Sequence, residues 1–210
     1  LIFFLILLQG FIGWYMVTSG LVEHTDFSHY RLSLHLTLAF IIFILLFWNY
    51  LKLKIEKKSE FTKKIPFLLP NIFLLLIIIQ ISIGAFVSGL DAGQIYQTWP
   101  LMNENYFPDD SNIKDLFLLD SLNSPSIVQF IHRNIAYFIF FIFIFIMFIV
   151  FRSNDYKYLR KTILLIFFSL ILQIFLGILS VLSGAQIFIA SMHQIGSILL
   201  IVTSLILVFK

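Results

Sequence analysis

The chain has 210 residues, of which 60% are hydrophobic and only 12% charged, with 26 phenylalanines and a mean hydropathy of +0.99. Soluble domains carry about 25% charged residues, so a water-soluble globule is excluded and lipid is the solvent that fits. The net charge of +3 comes from basic residues gathered in short loops, which reads as membrane topology rather than nucleic-acid contact, and the absence of cysteine excludes disulfides, thiolate metal sites and thiol nucleophiles.

A bilayer core about 30 Å thick takes roughly 20 apolar residues in helical form. Each crossing must be a helix, because unpaired backbone groups are too costly in hydrocarbon. In chain order such stretches fall at 1–19, 30–50, 66–89, 127–151, 162–183 and 187–209. The first begins at Leu1 and is apolar at once, with no basic n-region; this argues against a cleaved signal peptide and for a fragment whose start is missing. The Phe and Ile run from Phe138 to Phe151 would favour a strand in water, a propensity that lipid overrides.

The loops set the orientation. After the second stretch, Lys52, Lys54, Lys57, Lys58, Lys63 and Lys64 face only Glu56 and Glu60, a net +4. After the fourth, Arg152, Lys157, Arg160 and Lys161 face Asp155, a net +3, and Lys210 closes the chain. The long 90–126 segment instead holds Asp91, Glu104, Asp109, Asp110, Asp115 and Asp120 against Lys114. By the positive-inside rule the basic loops are cytoplasmic, the 90–126 segment is external, and six crossings leave both ends inside. Within the external segment, Tyr96–Met102 reads as an interfacial stretch with Tyr96 and Trp99 at headgroup level, and 103–126, with Pro108 and Pro125, as irregular. In the 20–29 loop, His24 and His29 beside Glu23 and Asp26 read as a solvated loop in preference to a metal site.

An internal repeat runs through the chain. Gln9-x3-Gly13-x5-Ser19-Gly20 recurs as Gln173-x3-Gly177-x5-Ser183-Gly184 and, shortened, as Gln80-x3-Gly84-x3-Ser88-Gly89. Each Ser-Gly pair ends a helix on the external side. The expected fold is therefore an all-α integral membrane protein of about six transmembrane helices. It holds one complete four-helix bundle (65–210) and the remaining helix pair (1–60) of a pseudo-symmetric second bundle, whose first two helices would precede Leu1.

His35, His132 and His193 each lie within about two turns of the external end of a helix. Each has a small residue four positions on (Ala39, Ala136, Ser197), on the same helix face. Gly13, Gly84 and Gly177 on the neighbouring helices allow close approach of backbone or cofactor. Hydrogen-bonded interhelical histidines are the plain alternative, but intramembrane ionisable groups are rare and usually functional. Zinc or copper wants three or four converging ligands, whereas a haem iron needs two axial imidazoles from opposing helices. His132 and His193 are the natural pair, with His35 lacking a partner. Arg31, one turn before His35, and Arg133, next to His132, are candidates for the carboxylates of such a cofactor, or else snorkelling anchors.

Five motifs in order resemble a known family. They are Leu8-Gln9-Gly10-x2-Gly13-Trp14-x-Met16-Val17-x-Ser19-Gly20-Leu21; Tyr30-Arg31-Leu32-x2-His35-Leu36; Gly84-Ala85-Phe86-Val87-Ser88-Gly89-Leu90-Asp91-Ala92-Gly93 with Tyr96-x-Thr98-Trp99-Pro100-Leu101-Met102; Gln129-Phe130-x-His132-Arg133-x2-Ala136-Tyr137; and His193-Gln194-x-Gly196. Together they resemble the haem A synthase family of cytochrome-oxidase assembly enzymes, in its bacterial and mitochondrial branch without external cysteines. The resemblance implies two pseudo-symmetric four-helix bundles. It implies a bis-histidine haem b on His132 and His193, with Arg133 and Gly177 beside it, and a haem O substrate at His35 and Arg31. The implied reaction oxidises the C8 methyl group of haem O to a formyl group, giving haem A. The helices carrying another substrate-side histidine and an external acid are absent from the pattern here, and that acid is not transferred to Glu23 or Asp91.

The expected partners are haem O, membrane lipid, a haem O synthase, an electron donor and another copy of the chain, without nucleic acid. The Phe- and Lys-rich bias suits a bacterial plasma membrane, with the mitochondrial inner membrane as the alternative. Two other readings stand beside this one: a membrane cytochrome b that relays electrons without oxidising a substrate, and a cofactor-free assembly scaffold.

Overall fold

A computed structural model describes residues 1–20, 28–54 and 68–210. Its helices are α1 (Ile2–Gly20), α2 (His29–Lys54), α3 (Leu68–Gly89), α4 (Pro125–Arg152), α5 (Arg160–Leu182) and α6 (Ile187–Phe209). Strands do not occur among the described residues. Glu23, His24 and Asp26, and the loop charges Glu56, Lys57, Lys58, Glu60, Lys63 and Lys64, lie outside them. Five helices are long and apolar enough to cross a membrane, and α1 contributes a shorter apolar stretch, Ile2–Thr18. The chain is an all-α, multi-pass integral membrane protein.

Local chemistry sets the helix ends. α4 starts at Pro125, whose missing N–H costs nothing in a first turn, and the Ser124 side chain accepts from the Ile127 N–H. Arg152 in the last turn of α4, and Lys52 and Lys54 in that of α2, complement the negative end of the helix dipole. The α5–α6 turn passes through Gly184 at φ 64°, a left-handed conformation that only glycine adopts without penalty.

The helices from α3 onward close a ring in which α3 packs on α4, α4 on α5, α5 on α6 and α6 on α3. The diagonal pairs, α4 with α6 and α3 with α5, make at most marginal contact. α2 docks on α3 and α6, and α1 docks on α2. A polar seam fixes the α2–α3 register: Ser33 Oγ donates to the Ser82 carbonyl at 2.9 Å, and Thr37 Oγ1 lies 2.7 Å from Ser82 Oγ. Gly89 lets the start of α2 come close, since a Cβ there would stand 2.9 Å from His29 Cα.

The tightest core occupies the basic end of the ring. Phe73, Phe143, Ile146, Val150, Ile163, Ile166 and Ile201 are all fully buried there. In lipid this packing stabilises through dispersion between close-fitting side chains, because the tails offer no less apolar a surrounding than the core. Exposed Phe138, Phe141, Phe145 and Phe148 give α4 a lipid-facing stripe.

The segment between α3 and α4 folds over the opposite end. It contains short 3-10 turns at Ala92–Gln94, Ile113–Phe117 and Leu119–Asn123, where the sequence suggested irregular chain throughout 103–126. Tyr96, read from sequence as an interfacial residue, is buried within the protein: it is 2% exposed and donates to Asp109 Oδ1. Ser126 Oγ donates to Asp110 Oδ2 at 2.6 Å, and Trp99 Nε1 donates to the Tyr137 hydroxyl at 3.1 Å. Of this pair expected at the interface, Trp99 alone is exposed, at 44%.

Candidate functional site

The three repeat units have a common construction. Residues i and i+4 of a helix share a face, so the Gln and Gly of each Gln-x3-Gly point at the same neighbour. For the glycine that neighbour is in every case the histidine of the next helix. A Cβ on Gly13 would stand 3.0 Å from His35 Cε1, one on Gly84 3.2 Å from His132 Cε1, and one on Gly177 3.1 Å from His193 Cε1. The glycines therefore seat the imidazoles themselves, where the sequence suggested close approach of backbone or cofactor.

The glutamines complete the seat. Gln9 Nε2 donates to the His35 carbonyl at 3.0 Å and stands 3.3 Å from His35 Nε2. Gln80 Nε2 donates to the His132 carbonyl at 2.9 Å and stands 3.2 Å from His132 Nε2. Gln173 departs from the pattern: its amide lies against Gly196, and its Nε2 has no hydrogen-bond partner. The glutamines were visible in the repeat, and their i, i+4 relation to the glycines was the signal that they serve the same ring.

His132 on α4 and His193 on α6 occupy opposite corners of the helix ring. His35 belongs to the α1–α2 pair, through Gln9 and Gly13. Nδ1 of all three rings is buried without a hydrogen-bond partner, as are Gln9 Oε1 and Gln80 Oε1. Buried polar atoms are nearly always satisfied in native proteins. Here the unsatisfied ones gather on the repeat, six of the nine such atoms among the described residues.

Imidazoles are haem-iron ligands, so this donor set suits a haem, and among the described residues no group of three or more His, Cys, Asp or Glu is placed to hold a metal ion.

The arginines divide. Arg31, one turn before His35, places its guanidinium over the Tyr15 ring, 4.6 Å from the centroid, a cation–π contact between α2 and α1. Arg133, read from sequence as a candidate for cofactor carboxylates or else a snorkelling anchor, turns to the external segment. Its Nη1 donates to the carbonyls of Thr98 (2.9 Å) and Leu101 (3.2 Å), and its Nη2 to that of Tyr96 (3.0 Å). Gln129, one turn earlier, donates to the same Tyr96 carbonyl at 3.0 Å. Following His132 directly, Arg133 lies about 100° around the helix from it, so it clamps the cap while His132 faces the ring. Of the two loop histidines, His29 is described: its Nε2 lies 3.0 Å from Asn123 Oδ1, which also accepts from the Tyr30 hydroxyl at 2.8 Å.

Outside the membrane-spanning segments, burial and then the bond to Asp109 push the Tyr96 phenol up to about 12. Burial works against ionisation of Asp110, but hydrogen bonds from Ser126, Ser111 and Tyr96 together outweigh it and hold the carboxyl below its ordinary value.

The COX15-CtaA family, cytochrome oxidase assembly protein, matches residues 1–205. The chain is 49% identical over 210 residues to the heme A synthase of Pelagibacter ubique (strain HTCC1062), covering all of this chain and 61% of that protein. It is 39% identical over 197 residues to the heme A synthase of Rickettsia felis, and 38% identical over 199 residues to that of Rickettsia conorii. Each of these two matches covers 92% of this chain and 58% of the relative. The chain thus spans about three fifths of the length of these relatives. With three repeated histidine seats on membrane helices and a match over nearly its whole length, the chain belongs to the COX15-CtaA family of cytochrome oxidase assembly proteins.

Proposed function

We propose that this chain carries the haem b domain and part of the substrate domain of a haem A synthase, the enzyme that oxidises the C8 methyl group of haem O to a formyl group. The observation that carries the reading is the pairing of His132 and His193. They come from diagonal helices, and each is seated on a glycine. The names printed for the relatives support the same reading.

In this reading residues 65–210 form the haem b bundle, and residues 1–60 contribute a helix pair to the substrate bundle. His132 and His193 would hold haem b, and that group would supply one-electron transfer. Gly177 and Gly84 fix where those imidazoles stand. His35 addresses the haem O substrate, and Arg31 holds positive charge one turn toward the external end, where it can meet the substrate's carboxylates. Arg133 serves the site at one remove, by keeping the external cap on α4. Electrons come from a membrane donor, haem O from a haem O synthase, and the bacterial relatives favour a plasma membrane location.

The test is a reduced-minus-oxidised optical spectrum of the detergent-purified chain with pyridine haemochrome quantitation. About one low-spin haem b per chain is expected from a single bis-histidine site. A protein that stays colourless when expressed with ample haem would overturn the reading and favour a cofactor-free scaffold.

A further inference from the structure

We propose that Gln9 and Gln80 set the tautomer of the imidazoles they touch, keeping Nε2 of His35 and His132 unprotonated, and that Gln173 has been released from this task by Gly196. The inference rests on the reading of these histidines as haem ligands for its purpose, but not for its chemistry.

The side-chain amide of Gln80 can be turned two ways, and its neighbours decide which. The His132 carbonyl lies 2.9 Å from the amide group and can only accept, so the atom facing it must be the NH2 nitrogen; for Gln9 the His35 carbonyl at 3.0 Å imposes the same choice. That nitrogen has a second proton, and 3.2 Å away is His132 Nε2, or 3.3 Å away His35 Nε2. A donor facing a neutral imidazole nitrogen requires that nitrogen to be the acceptor. The ring proton is thereby placed on Nδ1, the atom left without a partner in both rings. The hydrogen bond at one ring nitrogen decides which form is present; an unprotonated Nε2 is the form that can ligate a metal, and the glutamine N–H that holds it so would have to turn away as a metal took the lone pair.

The third unit supplies the contrast. Three residues after the histidine, the first two units have Leu38 and Ile135, and the third has Gly196. The Gln173 amide rests where a Cβ on Gly196 would be, overlapping it outright, and its Nε2 makes no hydrogen bond. His132 and His193 are therefore chemically unequal partners: one has its tautomer imposed by a side chain, and the other does not.

The experiment is solid-state 15N NMR of the full-length chain, labelled at histidine, expressed under haem limitation and reconstituted in lipid vesicles. Imidazole signals are assigned by single replacement of each histidine. In the unaltered chain His35 and His132 are expected as single Nδ1–H tautomers. Gln80→Met, of similar length and without a donor, should convert the His132 signal to a tautomer mixture and leave His35 unmoved. Gln9→Met should do the reverse, and Gln173→Met should leave His193 unchanged. An Nε2–H tautomer in the unaltered chain, or His132 unaffected by Gln80→Met, would overturn the proposal. So would both rings shifting together in either variant, because a local donor acts on one ring only. Since no haem is needed for these signals, failure here is distinct from failure of the haem reading, which the optical spectrum tests alone.

Discussion

Gly177 lies under His193 so closely that a Cβ added to the glycine would come within 3.1 Å of the imidazole Cε1. The same relation joins Gly84 to His132 at 3.2 Å and Gly13 to His35 at 3.0 Å. Contacts this short leave no room for a side chain without moving the ring, and a ring displaced by about 1 Å no longer presents its nitrogen in a productive direction.

Gly177→Leu should therefore lower haem occupancy through His193, by crowding its imidazole and not a porphyrin face. Gly177→Ala should have the smaller effect of the two. Haemochrome per protein is the measurement, and unchanged occupancy in Gly177→Leu would show that the glycine serves helix packing alone.

Replacing either diagonal histidine should have a different effect from replacing the third. His132→Ala and His193→Ala should each abolish the low-spin b-type spectrum, because one imidazole leaves the iron without its second axial ligand. His35→Ala, on the α1–α2 pair, should leave most of that spectrum intact. Loss of the haem on His35→Ala alone would show that the pairing of His132 with His193 is wrong.

The helices were legible because lipid imposes a length and an apolar composition on each crossing. The 187–209 stretch coincides with α6, and α4 begins two residues earlier than the apolar run because Ser124 and Pro125 form its cap and first turn. The histidines were legible as rare polar residues at one depth. What stood near them was less so. Arg133 looked like a cofactor partner because it adjoins His132, yet its direction depends on where the external segment docks, which no local pattern reveals. Tyr96 looked interfacial for the same reason, and only the fold shows it buried over Asp109. The glutamines required relating two helices through a shared face, and that relation was implicit in the repeat.

The Arg133 clamp makes its own prediction. Arg133→Ala removes three hydrogen bonds to carbonyls and should cost about 1.5–3 kcal/mol, the range for hydrogen bonds made by charged groups. Arg133→Lys should not rescue, since one ammonium cannot reproduce a planar fork that meets three carbonyls. Limited proteolysis from the external side should then cut between residues 92 and 124, while haem content falls less than in His132→Ala. A cap that remains protected in Arg133→Ala would show that Gln129 and the Trp99–Tyr137 bond suffice to hold it.

The same cap should respond to alkali through Tyr96. Its phenol is raised from 10.0 to about 12 by burial and by the bond to Asp109, so the folded state favours the protonated form. A group with a raised pKa gives stability that is complete below the unfolded value and is lost as pH climbs through the folded one. Tyr96 should thus stabilise the cap up to about pH 10 and release it between there and about pH 12. Asp110 acts at the other extreme: its carboxyl is held low by Ser126, Ser111 and Tyr96 against the opposing effect of burial, so its contribution is present above the ordinary carboxylate value and lost as pH falls through the lowered one. Phenolate absorbance of the unaltered chain minus that of Tyr96→Phe isolates the titration of this one tyrosine, and proteolysis followed across the alkaline range reads the cap. Tyr96 should ionise late, with cap release accompanying it. In Tyr96→Phe the cap should start weaker at neutral pH and lose its alkaline transition. A difference spectrum titrating at the ordinary tyrosine value would show that the phenol is open to solvent and that Asp109 does not hold it.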